Sequence, residues 1–462
     1  MNSSHNKFLA SESSSNGRDS ASTASNAFTA SSASSSSKVL IITYYWPPSG
    51  GAGVQRWLKF SKYLPEFGWE PVILTVDPDY AAYPVTDFSL KDDLPSSVRV
   101  YSTPAINYFS IYKNDKSKIH SAGFANSIDN SLKGKLLRFV RGNFFLPDQR
   151  RGWNKFAFKK ACDLIEAEDI RHIITTSPPH STQLIGLKLK KKYRSLMWIA
   201  DLRDHWTDIY YYKQFYPTLI SKSIDQRFET SVLSKADRII TVGNSLKNLF
   251  ASKVKGINDK IEVITNGYDQ DDFTGKSTSG PTRFTITYVG TLSDIYPVEG
   301  LIPALKTIED SGINFMLRFV WTVSEKTKNL IKSQIPERFL EFTPYVSHSE
   351  AIKYMIDSSL LILIIPLHQS NKSIITGKLF EYLASGKPIL CLGPLDGDAA
   401  EIIKNCNAGK TFAYYNIEEI TDFVVSIKGY NGIPDQTAVQ NFSRINQVRR
   451  VAGILELKEK VD

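Results

Sequence analysis

Short, mostly apolar runs recur along this chain, and stretches with helical spacing fall between them. The first runs are 39–42, 71–76, 170–176, 196–200 and 239–242. Each is strand-sized, and 39–42 is apolar on both faces, the pattern of a strand buried inside a parallel sheet. Val54, Trp57, Leu58, Ser61 and Leu64 mark one face of a helix between the first two runs. Further helices are predicted over 182–192, 227–235 and 245–250. A second series follows, with strands predicted at 284–289, 315–320, 360–365, 389–392 and 409–412. Its helices are predicted at 351–356, 379–384, 401–406, 417–427 and 444–460. Strand alternating with helix is the βαβ rhythm of an α/β protein. Residues 77–130 read as irregular. The Gly, Ser, Thr, Lys and Pro of 274–283 read as a linker between the two series.

Composition sharpens the picture at the N-terminus. Residues 1–37 are mostly Ser, Ala, Asn and Thr. Such a stretch buries too little apolar surface to offset its ordering entropy, so it is expected to be disordered. The whole chain of 462 residues is 42% hydrophobic, enough for two domains with their own cores. Three scattered cysteines, Cys162, Cys391 and Cys406, suggest a reducing compartment and no disulfide scaffold. No apolar run approaches the roughly 18 to 20 residues of a membrane span, and the N-terminus lacks an apolar signal core. The expectation is a cytoplasmic protein.

The net charge is +9, which suits an anionic partner. Much of it is local. Lys133, Lys135, Arg138, Arg141, Arg150, Arg151, Lys155, Lys159 and Lys160 are interleaved with Leu136, Leu137, Phe139, Phe144, Phe145 and Trp153, against Asp148 alone. This segment, 133–160, suits docking on an anionic membrane surface, or else it is a helical pair with a solvated basic face. No nucleic-acid reader motif accompanies it, and nucleic acid is not expected as a partner.

The strand ends carry the candidate chemistry. After the first strand comes Ser49-Gly50-Gly51-Ala52-Gly53, a glycine turn that lets backbone approach a ligand closely or simply packs. His180 follows the strand ending near residue 176. Asp201, Arg203 and Asp204 follow the next strand. In an α/β sheet the crevice outside the carboxyl ends of the strands is where ligands bind. Asp201-x-x-Asp204 is not a D-x-D metal motif, and no metal is expected.

The most informative stretch is Gly377-Lys378-Leu379-Phe380-Glu381-Tyr382-Leu383-Ala384-Ser385-Gly386-Lys387-Pro388-Ile389-Leu390. A strand, a polar loop, a short helix closed by Ser385-Gly386 and a second strand form one crossover. The first helical turn offers free amides and a positive dipole end to phosphate, and Lys378 adds a cation. Glu381 lies one turn on, and a carboxylate accepts the two hydroxyls of a ribose well.

This stretch resembles the donor-site motif of family 4-like glycosyltransferases of the GT-B fold, the kind that builds bacterial surface polysaccharides. The resemblance covers nearly all of residues 38–450. It implies two Rossmann-like domains facing a central cleft: an N-terminal acceptor domain over 38–273, a donor domain over 284–435, and a C-terminal helix over 436–462 that returns to the first domain. It implies that Glu381 holds the ribose of a nucleotide-sugar, and that Ser373 stands where the family has a second glutamate. The Gly50-Gly51 and Gly290-Thr291 turns would face the donor. The family's arginine after the second glycine is Thr291 here, and its later Lys-Gly pair is Glu299-Gly300. Lys378, with Lys372 nearby, is the cation placed to replace them. His180, Asp201, Arg203 and Asp204 would form the catalytic, acceptor-side rim.

The expected reaction is metal-independent transfer of a sugar from a nucleotide-sugar to a lipid-linked or polysaccharide acceptor, with retained configuration and no further cofactor. A non-catalytic sugar-nucleotide or polysaccharide-binding protein and a GT-B epimerase remain open alternatives.

Overall fold

The structure is a computed structural model. It describes residues 37–91, 93–108, 131–275, 281–428 and 434–457. Thirteen strands and fourteen α-helices follow one another among these residues. The Ser-rich tail and the middle of the linker read from the sequence lie outside the described residues. Ser37 already belongs to the first strand.

The first sheet is built by β1 (Ser37–Ile42), α1 (Ala52–Tyr63), β2 (Trp69–Val76), β3 (Arg99–Thr103), α2 (Leu132–Phe144), α3 (Asn154–Glu168), β4 (His172–Ser177), α4 (Gln183–Lys192), β5 (Met197–Leu202), α5 (Leu219–Lys235), β6 (Arg238–Thr241), α6 (Asn244–Lys253) and β7 (Ile261–Val263). Its strand order is β3-β2-β1-β4-β5-β6-β7, and every pairing is parallel. The order reverses between β1 and β4, so their carboxyl ends open a crevice.

β8 (Phe284–Val289), α7 (Leu301–Asp310), β9 (Phe315–Val320), α8 (Glu325–Gln334), β10 (Leu340–Thr343), α9 (His348–Ile356), β11 (Leu360–Ile364), α10 (Gly377–Ala384), β12 (Ile389–Leu392), α11 (Asp398–Asn405), β13 (Gly409–Phe412) and α12 (Ile417–Ile427) build the second sheet. Its order, β10-β9-β8-β11-β12-β13, is again wholly parallel and reverses between β8 and β11. The short α13 (Gln436–Gln440) and then α14 (Arg444–Leu455) close the chain. Val448, Val451 and Leu455 of α14 join the core of the first sheet.

Strand periodicity sets the second core. Leu360, Ile362 and Ile364 of β11 face one layer of helices, while Leu361 and Leu363 face the other, which contains α10. On α10, Leu379, Phe380, Tyr382 and Leu383 are all fully buried. Each contributes roughly 1.5–3 kcal/mol by leaving water, so this two-turn helix is held firmly and its first turn is presented in a fixed direction. The three cysteines are buried and unpaired.

β3 corrects the reading of 77–130 as irregular throughout. It is an edge strand whose residues alternate between exposed and half-buried, so it lacks the apolar run that marks the other strands. The elements α7, α8 and β10 were also not marked in the sequence. Among the described residues no helix is long and apolar enough to cross a membrane.

Candidate active site

The end of β8 and the start of α10 meet in the second sheet. Gly290 has φ +119, a conformation side chains rarely adopt, and a Cβ there would stand 3.0 Å from the Lys378 ammonium. Lys378 Nζ donates to the Tyr288 hydroxyl at 2.9 Å, and that hydroxyl donates to the Thr291 carbonyl at 3.0 Å. One relay thus joins Lys378 to the turn after β8. Burial lowers the pKa of Lys378 to about 8. Thr376 precedes α10 but supplies no side-chain cap, and its hydroxyl is buried without a partner among the described residues. The amides of the first turn of α10 therefore carry no protein anion. Gly377 is exposed at that turn. Lys372 is exposed, and its ammonium pairs with the exposed Asp396.

Glu381 lies deeper. Its Oε1 is 3.9 Å from His348 Nδ1, and His348 Nε2 is 3.2 Å from Asp272 Oδ2. The Asp272 hydrogen bond, joined by the Glu381 charge, raises the pKa of His348 against burial. Burial raises that of Glu381. The buried Arg444 completes this corner: its Nε and Nη1 have no hydrogen-bond partner among the described residues, and burial together with the Arg56 charge lowers its pKa to about 10. Neither His348 nor Arg444 stood out in the sequence: His348 lies outside the helix predicted at 351–356, and Arg444 entered only as the first residue of the last helix.

The carboxyl ends of β1, β4 and β5 form the facing rim. Gly51, with φ +89, is exposed with open space where a side chain would go, and Gly50 donates its amide to Val85 at 2.9 Å. Arg203 fastens this turn to β4: it donates from Nη1 to the Gly53 carbonyl at 3.0 Å and from Nε to the Ser177 carbonyl at 2.9 Å. Its side chain is nearly fully buried, so its role is to hold the rim together.

Asp201 stands apart from the other acidic residue of this pair. It is fully buried and accepts from Arg56 Nη2 at 3.1 Å, Trp57 Nε1 at 2.7 Å and Thr176 Oγ1 at 2.7 Å. Its oxygens are occupied by the protein's own donors, and it ties α1 to β4 and β5. Asp204, three residues on, makes no ion pair or hydrogen bond among the described residues and lines a cavity of about 80 Å³. Burial raises its pKa, opposed by Arg203 and reinforced by Asp201.

His180 shares that cavity and stacks on Trp206, ring centroids 4.8 Å apart. Its Nε2 lies 3.0 Å from the His205 carbonyl, an acceptor, so Nε2 bears the proton. Nδ1 is left as a bare acceptor, buried and without a partner among the described residues. Burial lowers the pKa of His180 to about 4, so the ring is neutral. His205, likewise lowered to about 4 by burial, reaches across: its Nε2 is 3.4 Å from the hydroxyl of Ser373 in the loop after β11. Nearby, Tyr210 stacks on His368 with centroids 4.2 Å apart. On another side, Asp398 at the start of α11 accepts from the Ser245 amide and, at 2.9 Å, from its hydroxyl. The two sheets therefore face each other with their carboxyl ends across one cleft. The residues singled out in the sequence sort into a donor-side group (Gly290, Thr291, Gly377, Lys378, Glu381), an opposite group (His180, Asp204, Gly50, Gly51), a bridge (Ser373) and two fasteners (Asp201, Arg203).

No protein-family model and no curated protein sequence matches the chain. Solved structures do. Sucrose-phosphate synthase from Thermosynechococcus elongatus aligns over 91% of this chain and 98% of its own, with TM-score 0.57 and 12% identity. A glycosyltransferase from Rickettsia africae aligns over 91% and 99%, with TM-score 0.56 and 16% identity. HepE of Anabaena in complex with UDP-glucose aligns over 90% and 99%, with TM-score 0.55 and 14% identity. The fold is α/β of the GT-B kind, with two Rossmann-like sheets facing a cleft.

Proposed function

We propose that this protein is a glycosyltransferase that moves a sugar from a nucleotide-sugar to a lipid-linked or polysaccharide acceptor, with retained configuration, in cell-surface glycan synthesis at the cytoplasmic face of the membrane. The observation that carries the reading is the relay from Lys378 through Tyr288 to Thr291, set beside the uncapped first turn of α10. In the reaction the bond from the anomeric carbon to the diphosphate oxygen breaks with its electron pair leaving on the diphosphate, the acceptor oxygen bonds to that carbon, and the acceptor proton passes to the departing diphosphate or to solvent. The negative charge on the departing diphosphate is met by Lys378 and the α10 amides, so no metal is assigned to this step. Glu381, kept close to His348 and Arg444, takes the ribose hydroxyls. On the other rim His180 Nδ1 and Asp204 accept hydrogen bonds from the acceptor or the transferred sugar. Asp201 and Arg203 hold that rim in place without touching substrate.

Two structural neighbours, the Rickettsia africae glycosyltransferase and HepE in complex with UDP-glucose, support this reading and make UDP-sugars the first donors to try. The test is release of nucleoside diphosphate from a panel of radiolabelled nucleotide-sugars, with and without membrane lipid extract. Label appearing in a lipid or polysaccharide product supports transfer. Binding without turnover points to a non-catalytic binding protein, and acceptor-independent change of the sugar to an epimerase.

A further inference from the structure

The cavity that holds His180 and Asp204 is also lined by cations. Arg141 and Arg150 line it together with Tyr45 and Tyr211. Arg141 stacks on Phe215 at 4.2 Å and forms no ion pair among the described residues. Arg150 is buried under Tyr45, its guanidinium carbon 5.4 Å from the ring centroid, and donates to the Ala82 carbonyl at 3.3 Å. Two other carboxylates line the cavity, and both are engaged. Asp148 accepts from the Arg150 amide and from the Ser181 amide and hydroxyl. Asp225 accepts from Trp206 and Tyr212, and burial raises its pKa to about 6. The cavity wall thus carries two guanidinium groups together with two hydrogen-bond acceptors, His180 Nδ1 and the Asp204 carboxylate.

The elements that line the cavity also carry an apolar surface. Arg141 and Gly142 of α2, Phe215 and Pro217 before α5, and Asp225 within α5 form part of its wall. Asn143 locks these elements together: it donates to the Tyr216 carbonyl at 3.1 Å and accepts from the Thr218 amide at 2.8 Å and the Ser221 hydroxyl at 2.7 Å. Outward, α2 exposes Leu132, Leu136 and Phe144, and the first turn of α5 exposes Leu219 at 88% and Ile220 at 74%. Gly134 is the sole α2 residue that is buried, so this helix presents its large apolar side chains to something other than the described protein. Lys133, Lys135 and Lys222 flank the patch, and neither 131–147 nor 216–224 contains an acidic residue. Apolar side chains ringed by lysines on a rigid face match an anionic membrane surface. The rest of the basic stretch does not belong to this face: Arg150 is inside, Trp153 is core, and Lys160 lies 4.9 Å from the Tyr101 ring centroid beside β3.

We propose that the acceptor is an amphiphile with an anionic headgroup, bound with the headgroup in this cavity against Arg141 and Arg150 while its apolar part stays in a membrane surface docked on α2 and the first turns of α5. This rests on the glycosyltransferase reading for the word acceptor, and on the cavity and patch alone for the binding. A phosphate on the headgroup meets the guanidinium groups, since charge-assisted and bidentate contacts favour phosphate there. A headgroup hydroxyl then falls toward His180 and Asp204.

Two binding measurements test it on the full-length protein. In co-sedimentation, wild type binds vesicles of phosphatidylcholine with phosphatidylglycerol and binds phosphatidylcholine alone far less. The double variant Leu136→Asp/Ile220→Asp loses at least about tenfold in anionic vesicle affinity, with unchanged melting temperature and nucleotide affinity. Wild type that ignores anionic vesicles at low salt overturns the proposal, since another segment or a second copy then covers the face. In calorimetry with soluble dihexanoyl phosphatidic acid, wild type binds and Arg141→Gln loses about tenfold or more, while vesicle binding by that variant persists. Inorganic phosphate binding as tightly as the short lipid overturns the lipid assignment. If Arg141→Gln does not fold, Arg141→Lys keeps the charge, and retained short-lipid affinity with that variant supports the proposal while complete loss overturns it. No arm uses a nucleotide-sugar, so lipid binding without nucleotide binding refutes the donor site, and nucleotide turnover without lipid binding refutes this surface.

Discussion

Asp201 and Asp204 lie three residues apart, yet the structure gives them opposite energetic roles, and asparagine substitutions separate them. Asp201→Asn leaves the Arg56 guanidinium, itself fully buried, without its counter-charge. Breaking one partner of a buried pair costs about 3–5 kcal/mol. Against a domain stability of roughly 5–15 kcal/mol that is a large loss. Urea unfolding followed by tryptophan fluorescence should show a lowered midpoint, because α1 loses its tie to β4 and β5. Asp204→Asn should do the reverse. Burial raises the pKa of Asp204 above its unfolded value, so between the two values the folded state holds more protons. Stability then falls as pH rises through that window. Asparagine removes this fall: Asp204→Asn is neutral below the unfolded value and stabilising at neutral pH, while turnover drops. The refuting result is an Asp201→Asn variant as stable as wild type.

Two further outcomes follow from the cleft. His180→Ala should lower turnover by about tenfold or more while sparing nucleoside diphosphate affinity, since His180 lies across the cleft from α10; equal loss of both, measured by steady-state kinetics and calorimetry, places His180 on the wrong side. The hydrogen bond to Asp272 raises the pKa of His348, so its stabilisation is fully present below the unfolded value and is lost as pH rises through the higher folded value. His348→Gln should therefore flatten the decline of melting temperature between mildly acidic and mildly alkaline buffer, and an unchanged slope refutes the assignment.

The sheet was largely legible because its central strands are apolar on both faces, and that pattern is local. β3 was not, since an edge strand has one wet face and looks irregular. The stretch from Gly377 to Leu390 was legible as strand, cap and helix for the same local reason. What could not be read were partners far apart in the chain. Arg56 and Asp201 are 145 residues apart, and nothing in Asp201-Leu202-Arg203-Asp204 says which carboxylate points into the protein. His348 was invisible beside Glu381 because its neighbours come from another helix and from the segment after β7. The membrane-like character of 133–160 was visible as composition, but only packing divides it into an exposed helix α2, a buried Arg150 and a core Trp153. The apolar start of α5 went unread because the sequence pattern placed that helix eight residues too late, at 227 instead of Leu219.

The central claim is that the start of α10 binds the diphosphate of a nucleotide-sugar and that Glu381 binds its ribose. Calorimetry of UDP and uridine with wild type, Lys378→Ala and Glu381→Gln tests it most directly. Charge-assisted hydrogen bonds contribute about 1.5–3 kcal/mol, so each variant should lose roughly ten- to a hundredfold in affinity for its own part of the ligand. Lys378→Ala should weaken UDP and spare uridine, with a loss that shrinks as salt rises. Glu381→Gln should weaken both alike. Nucleoside diphosphate affinity untouched by either substitution would contradict the account.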